Sequence, residues 1–332
     1  MKRREFICYS ALLSATGWHT NARAQNTNGP SWSTAAPLPI QVQELYPTVH
    51  KGKLYVAGGI ASKLSVIYFT NSFYSYDPVS NQWQEETSLP EKLHHAALVS
   101  TGDRLFLVGG FNGGYSHVWR MRNKVYEYVN KEWVETTHLP KPQAEGVLTA
   151  LDGDIHLVSG QSPKGDANST RSDHLEITTH LVWQADAKSW QSAAPIPIAC
   201  NSATGGWVDQ QLIVTGGRTS KGNYDHTQVY DKQKDSWRAA APLPLPQAGT
   251  ASVEVDRGII VFGGEIFTPE AGVFKNVWRY NIDQDEWTAL PDLITPRHGL
   301  GAGKIGDQIF VFGGATEPSG KGTSNVNEIL IL

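Results

Sequence analysis

Six tryptophans, Trp32, Trp83, Trp133, Trp190, Trp237 and Trp287, recur at intervals of 51, 50, 57, 47 and 50 residues. A second motif keeps step with them. An apolar run closes on two glycines at LYVAGG (54–59), LFLVGG (105–110), LIVTGG (212–217), IIVFGG (259–264) and IFVFGG (309–314), with IHLVSG (155–160) as the variant copy. Five of the tryptophans precede a Pro-containing turn: APLP (36–39), SLP (88–90), HLP (138–140), PIP (195–197) and APLP (241–244). A period near 50 residues marks a repeat architecture. One supersecondary unit cannot bury its own apolar face and must stack on the next. Internal repetition therefore decides the fold.

Each unit reads as four short strands. A small-residue inner strand, such as HHAALV (94–99) or HGLGAG (298–303), leads through a polar turn to the apolar strand that ends in Gly-Gly. A variable loop follows, then an aromatic strand such as FYSYD (73–77) or VWRYN (277–281), a tight turn, and the Trp strand. This is the spacing of strands joined by hairpins, and no stretch has the period of a long amphipathic helix. The last unit ends at NEILIL (327–332) with no Trp strand, while Trp32 precedes the first complete unit. The N-terminal strand is expected to complete the last unit and close the ring.

The Gly-Gly, the Tyr-Asp strand and the Trp resemble the kelch family, as in Gly58-Gly59, YSYD (74–77) and Trp83, or Gly216-Gly217, QVYD (228–231) and Trp237. The resemblance spans nearly all of 31–332. It implies an all-β fold, a six-bladed kelch β-propeller, as a single domain over 25–332. Glycine at the strand ends is expected to let a neighbouring aromatic ring approach the backbone. The third unit departs most, with Ser159 in the first glycine place and LVWQAD (181–186) as the aromatic strand.

Residues 1–24 read as an export signal, with a basic start, an apolar stretch from Phe6 to Trp18 and Ala22-Arg23-Ala24 before the cleavage point. The stretch is too short to span a bilayer comfortably. Arg3-Arg4 followed by Glu5-Phe6-Ile7 resembles a twin-arginine signal. A periplasmic or secreted protein with no membrane anchor is expected. Cleavage would remove four of the 28 Lys and Arg and one of the 32 Asp and Glu, leaving a net charge of about −7. That balance does not suit a nucleic-acid partner. Of the two cysteines only Cys200 would remain, so the fold must stand without an internal disulfide. A monomer is expected.

Propellers place ligands at one mouth of the central channel. Residues just before the inner strands and just after the glycines should line it. Counting sixteen residues back from the first glycine gives Val42, Gln143, Cys200, Gln247 and Arg297, with Lys92 in the second unit if one extra residue is allowed. Beside them stand Glu44, His94, Glu145, Asn201 and His298, and after the glycines come Ile60, Phe111, Gln161, Arg218, Glu265 and Ala315. Arg218 and Arg297 could hold a carboxylate in two-pronged fashion. Gln143, Gln247 and Asn201 could bond hydroxyls, with His94, Glu145 and Glu44 as further polar contacts. Glu265 and His298 are the candidate proton-transfer pair; the alternative for Glu265 is a salt bridge to Arg218 or Arg297 that holds loops. No metal or cofactor is expected. His94 and His95, taken as strand neighbours, would point to opposite faces. His174 and His180 share the long loop 161–180 with Asp173, and that loop is a candidate lid. Cys200, a lone cysteine, reads as a small buried residue.

The kelch resemblance implies three kinds of function. Exported bacterial kelch propellers include the N-acetylneuraminate epimerases, which are sialic acid mutarotases. This chain is similar to them in fold, export signal and the Gly-Gly-Glu step at 263–265. That implies a small polar ligand, a sugar or sugar acid, with anomer exchange as the reaction. Kelch propellers also serve as platforms for protein partners. The copper radical oxidases of galactose-oxidase type are kelch propellers too. Their site needs a Tyr cross-linked to Cys, a second Tyr and two His on seven blades, a pattern this chain does not meet.

Overall fold

The computed structural model describes residues 29–64, 66–113, 117–184 and 189–332. The segment read as an export signal lies outside these residues. Among them stand six four-stranded antiparallel sheets. Blade one runs outward from Thr48–His50 through Lys53–Ala57 and Phe73–Asp77 to Gln82–Glu85. Blades two to five repeat that order from inner strands Ala97–Ser100, Val147–Leu151, Thr204–Val208 and Ala251–Val255. Blade six takes Gly301–Ile305, Gln308–Phe312 and Asn327–Ile331 from the end of the chain. Its outer strand, Ser31–Thr34, comes from the other end and pairs from Ser31↔Ile331 to Thr34↔Glu328. Each inner strand lies against that of the next blade, and blade six lies against blade one. The sequence reading began two inner strands at residues 94 and 298. The structure begins them at Ala97 and Gly301, and the preceding residues form a connector with a separate task.

The core is divided into wedges. Six clusters of buried apolar side chains each fill the gap between two neighbouring blades. At the closing gap, Phe310 and Phe312 of blade six pack on Leu54, Val56 and Tyr76 of blade one.

The tryptophan spacing has its cause at the rim of these wedges. The indole N–H of Trp83 donates to Ala36 O at 2.9 Å, Trp133 to Thr87 O at 3.2 Å, and Trp237 to Ala194 O at 2.8 Å. Trp287 donates to Ala241 O and Trp32 to Pro291 O, both at 2.9 Å. Every acceptor belongs to the segment leading into the Pro-containing turn of the preceding blade. In three blades the turn is held twice. Ala36, Ala194 and Ala241 each donate their N–H at 2.8 Å to Oδ1 of Asn81, Asp235 and Asp285. The same oxygens accept the hydroxyls of Tyr76, Tyr230 and Tyr280 at 2.8, 2.7 and 2.6 Å. Blade three, the divergent unit, lacks the staple: the Trp190 indole nitrogen is buried without a partner.

The paired glycines answer a backbone, not a ring. The N–H of the second glycine donates to a carbonyl in the connector of the next blade in all six places. The pairs are Gly59 to Leu93, Gly110 to Gln143, Gly160 to Cys200, Gly217 to Gln247, Gly264 to Arg297 and Gly314 to Val42, at 2.8–3.3 Å. A Cβ on Gly263 would meet the Arg297 carbonyl at 2.2 Å, and the backbone there has φ +60°, so only glycine fits without displacing the bond. Ser159, in the variant copy, turns its own hydroxyl onto the Cys200 carbonyl at 2.8 Å. The register places Leu93, not Lys92, at the sixteen-residue position of the second unit.

The side chains at that position close the clasp from the other side. Gln143 Nε2 donates to Ser159 O and Gln247 Nε2 to Gly263 O, both at 2.6 Å, and Arg297 Nη1 donates to Gly313 O at 2.7 Å. Gln143, Gln247 and Arg297 are therefore spent inside the wall rather than presented at the mouth, because the strand-end carbonyl is the nearest acceptor. Arg297 is fully buried, and its Nη2 reaches Glu328 Oε2 at 2.9 Å. Cys200 is buried among apolar residues, which pushes its thiol up to about 11.

Between blades three and four, His156 Nδ1 and His180 Nε2 share a hydrogen bond of 2.9 Å inside an aromatic box with Trp207 and Tyr230. His180 thus belongs to a blade strand and does not converge with His174. Burial pushes His156 down to about 3 and His180 to about 4 from the ordinary 6.5.

Two outcomes follow. Truncating Arg297 to Ala should cost about 3–5 kcal/mol, because Glu328 is left buried without its partner. The denaturant midpoint reads this loss, and a variant as stable as the parent would refute the wall role. Second, the unfolded chain takes up the protons of His156 and His180 near 6.5 and the folded chain only near 3 to 4. Their contribution is complete above pH 6.5 and is lost as pH falls through that window. The midpoint should drop steadily from pH 7 to pH 5; a flat profile would contradict the burial of the pair.

Candidate functional site

Each connector, once clasped, carries two residues to the channel mouth. The first pairs with the residue that follows the glycines: Gln43 with Ile60, His94 with Phe111, Ala144 with Gln161, Asn201 with Arg218, Ala248 with Glu265 and His298 with Ala315. The second takes the left-handed backbone in every blade: Glu44, His95, Glu145, Ser202, Gly249 and Gly299, with φ between 53° and 65°. Four of these residues pass a backbone bond around the axis. Glu44 N–H donates to Gly299 O, Gly299 to Gly249, Gly249 to Ser202 and Ser202 to Glu145, at 2.7–3.0 Å. The result is a girdle with large side chains over blades one to three and almost none over four to six.

The girdle and its neighbours form one ionic cluster. His95 Nε2 lies 3.1 Å from Glu44 Oε2 and 3.3 Å from Glu145 Oε1. Arg218 Nη1 donates to Glu265 Oε1 at 2.6 Å, and Ser319 N–H to Glu265 Oε2 at 2.9 Å. His298 Nδ1 lies 3.5 Å from Glu265 Oε2 and 3.8 Å from Glu44 Oε1. Burial alone would raise the Glu44 carboxyl, but His95, His298 and Arg218 outweigh it and hold the group far below the ordinary range. Burial opposes the charge on Arg218 as well, and Glu265, Glu145 and Glu44 restore it.

The hydrogen-bond pattern fixes where the protons sit. His94 Nε2 donates to Val118 O at 2.8 Å, and burial pushes the ring down to about 3, so it is neutral and its Nδ1 accepts. His95 Nδ1, 2.7 Å away, must then be the donor, while its Nε2 faces two carboxylates. His95 thus bridges the neighbouring imidazole and the two carboxylates. In His298, Nε2 donates to Glu317 O at 3.0 Å, and the buried Nδ1, which faces Glu265 and Glu44, has no hydrogen-bond partner among the described residues.

Above the girdle is a chamber of about 340 Å³, walled by Glu44, Trp119, Arg171, Arg218, Glu265 and Phe267. It adjoins an outer lobe of about 620 Å³ that shares Arg171, Arg218 and Phe267 with it. Loop 161–180, the candidate lid, is a hairpin of Gln161–Pro163 and His174–Glu176 with a single 3-10 turn, Arg171–Asp173, at its end. It lands on blade two, where Asn168 grips the N–H and carbonyl of Met121 at 2.8 and 3.0 Å. That landing sets the Arg171 guanidinium 3.9 Å from the ring centre of Trp119 and 3.6 Å from Glu145 Oε1. A cation over an aromatic face keeps its donors aimed sideways into the chamber.

The structure thus brings together Glu44, Glu145, Arg218, Glu265 and His298. Asn201 stands in the outer lobe, its amide bonded to Glu176 at 2.9 Å. His94 supports from behind, between Phe69 and Phe111. His94 and His95 do not sit in a strand; the left-handed turn at His95 swings the two rings into contact. Sequence reasoning passed over His95 on the strand assumption. It also passed over Arg171, whose reach depends on where a long loop lands.

Comparison with known proteins agrees with this frame. The kelch motif matches residues 47–90 and 248–294. Kelch-like protein terF of Aspergillus terreus is 26% identical over 214 residues, 60% of this chain and 45% of that protein. Beta-scruin of Limulus polyphemus is 25% identical over 218 residues, 61% of this chain and 22% of that protein. The chain spans less than half the length of these curated relatives. The solved structure of YjhT superposes with a TM-score of 0.74 at 15% identity, over 90% of this chain and 97% of that one. That identity speaks for the fold alone. With kelch motif matches in two blades, the same glycine clasp running through the sheets between them, and this likeness of fold, the chain is similar to the kelch-repeat proteins.

Proposed function

We propose that this propeller binds a small polyhydroxylated acid, a sugar acid, at the mouth built on the girdle, and exchanges its anomers. One observation carries the reading. Among the described residues, the buried atoms at and behind the chamber wall that have neither a hydrogen-bond nor an ionic partner are Glu145 Oε2, Gln43 Oε1 and Gln161 Oε1. All are acceptors. Leaving such atoms unmet costs about 1–3 kcal/mol each, and a ligand rich in hydroxyl donors would satisfy them. Arg171 and Arg218 supply the complementary donors for a carboxylate. Trp119 and Phe267 offer apolar faces to a ring.

Opening a sugar ring moves one proton from the anomeric hydroxyl to the ring oxygen as the ring bond breaks, and closing returns it. Glu265 faces the chamber and can take and return that proton, with His298 Nδ1 behind it as relay. The proposal takes residues 1–24 to be an export signal, so that the protein acts outside the cytoplasm, and takes it to act as a single copy.

A second reading, a platform for a protein partner, rests on the hairpin of Ile60–Lys63 and Val66–Phe69. It holds Leu64, Val66 and Ile67 at 90%, 65% and 48% exposure. A partner captured by the parent and lost in Ile67→Asp, with no sugar acid stabilising the fold, would favour it.

The primary test is melting of the purified protein against a panel of neutral sugars and sugar acids. A binder at 100 times its dissociation constant should stabilise by about 2.7 kcal/mol. For the acid that binds, anomer exchange above the buffer rate should fall by roughly 10²-fold in Glu265→Gln. Because Glu265 also pairs with Arg218, the melting of the variant is recorded alongside. A folded variant with the parent's rate would remove Glu265 from the chemistry, and a panel without any binder would overturn the reading.

A further inference from the structure

We infer that the outer lobe is a second subsite, and that the ligand is an acidic oligosaccharide whose terminal unit alone enters the inner chamber. The inference rests on the sugar-acid reading and extends it. The lobe, at about 620 Å³, is larger than the chamber of about 340 Å³ that it adjoins, so a monosaccharide seated inside leaves most of the cavity empty. The two share Arg171, Arg218 and Phe267 as lining residues, so they lie on either side of the same three side chains.

The lobe has its own charge. Lys164 and Lys221 join the two arginines on its wall, against one carboxylate, Glu176. Glu176 Oε1 is already occupied by the amides of Gln161 and Asn201, both at 2.9 Å. The balance in the lobe is therefore cationic, whereas the floor of the inner chamber carries Glu44, Glu145 and Glu265. An acidic group suits the lobe, and hydroxyls suit the floor.

The lobe also holds features that solvent alone does not explain. Gln161, 8% exposed, lines it and keeps Oε1 buried without a partner among the described residues. Phe267 and Leu175 line it with 44% and 39% of their surface exposed. The Arg218 guanidinium lies 5.1 Å from the Phe267 ring centre, so one face of the ring is supported and the ring stands as a fixed stacking surface. Cations, an amide acceptor and exposed apolar surfaces within one cleft are the components that hold a charged sugar unit.

The test compares mono-, di- and trigalacturonate by calorimetry on the parent protein, with N-acetylneuraminate and its α2,8-linked dimer as the second acid series. The dimer of at least one series should bind tenfold or more tightly than its monomer. Lys221 is exposed, and its reversal in Lys221→Glu should bring the dimer-to-monomer ratio toward one. Lys221→Gln should give an intermediate ratio, which a general loss of folding would not. Equal affinity for monomer and dimer in both series would overturn the second subsite while leaving the inner site standing. Binding of no acid saccharide at all would overturn the inner site and the subsite with it. A parent advantage that persists in Lys221→Glu would remove the lobe's charge from the explanation and overturn the inference.

Discussion

One backbone hydrogen bond, made six times, positions everything at the mouth of this molecule. The N–H of a strand-ending glycine holds a carbonyl of the next blade's connector. The apolar wedges bring the blades together, but apolar contact is non-directional and would tolerate sliding. The clasp sets the height of each connector against its neighbour. It thereby decides that the two residues after the clasped carbonyl face the axis. Bulk at the glycine preceding the clasping one would strike that carbonyl, as at Gly58, Gly109 and Gly263, so the first glycine of the pair answers the assembly between blades rather than the strand in which it stands.

The period of tryptophans and glycines made the blades legible, since the glycine clasp acts at every interface and the tryptophan staple in every blade but the third. What was lost lay at points where the backbone leaves regular geometry. The small residues of HHAALV and HGLGAG look like strand throughout, yet their first three residues form connector, and a left-handed residue separates the two. That single turn reversed the reading of His94 and His95. The sixteen-residue count found a true structural position, but the polarity of Gln143, Gln247 and Arg297 was mistaken for exposure. Their amides and guanidinium are consumed by carbonyls that no sequence motif advertises. Glu44, Glu145, Arg218, Glu265 and His298 were legible because each lies one or two steps from the clasp. Arg171 was not, because its place depends on Asn168 finding the backbone of Met121 across a blade boundary.

Burying charge at the mouth is costly. An apolar plug of the same volume would serve stability as well or better. The cluster instead sets Glu44, Glu145 and Glu265 against Arg171, Arg218 and the imidazole of His95. Unmet buried atoms also occur elsewhere in the fold, at Trp190 and in the His156–His180 pair; what sets the mouth apart is that buried charges of both signs gather around a cleft.

The girdle has one further implication. Its six positions share one backbone conformation, and five of them are linked by backbone bonds that no side chain takes part in, so a slot with open space around it can change its content without disturbing the scaffold. Three slots hold Glu44, His95 and Glu145; two hold Gly249 and Gly299. A Cβ at Gly249 would find its nearest atoms 3.7 Å away, and left-handed backbone is open to asparagine and aspartate. A lineage of such chains could therefore acquire a new chemistry one slot at a time. The ring would keep its shape while its selectivity drifted, and descendants with the same outline would share no substrate.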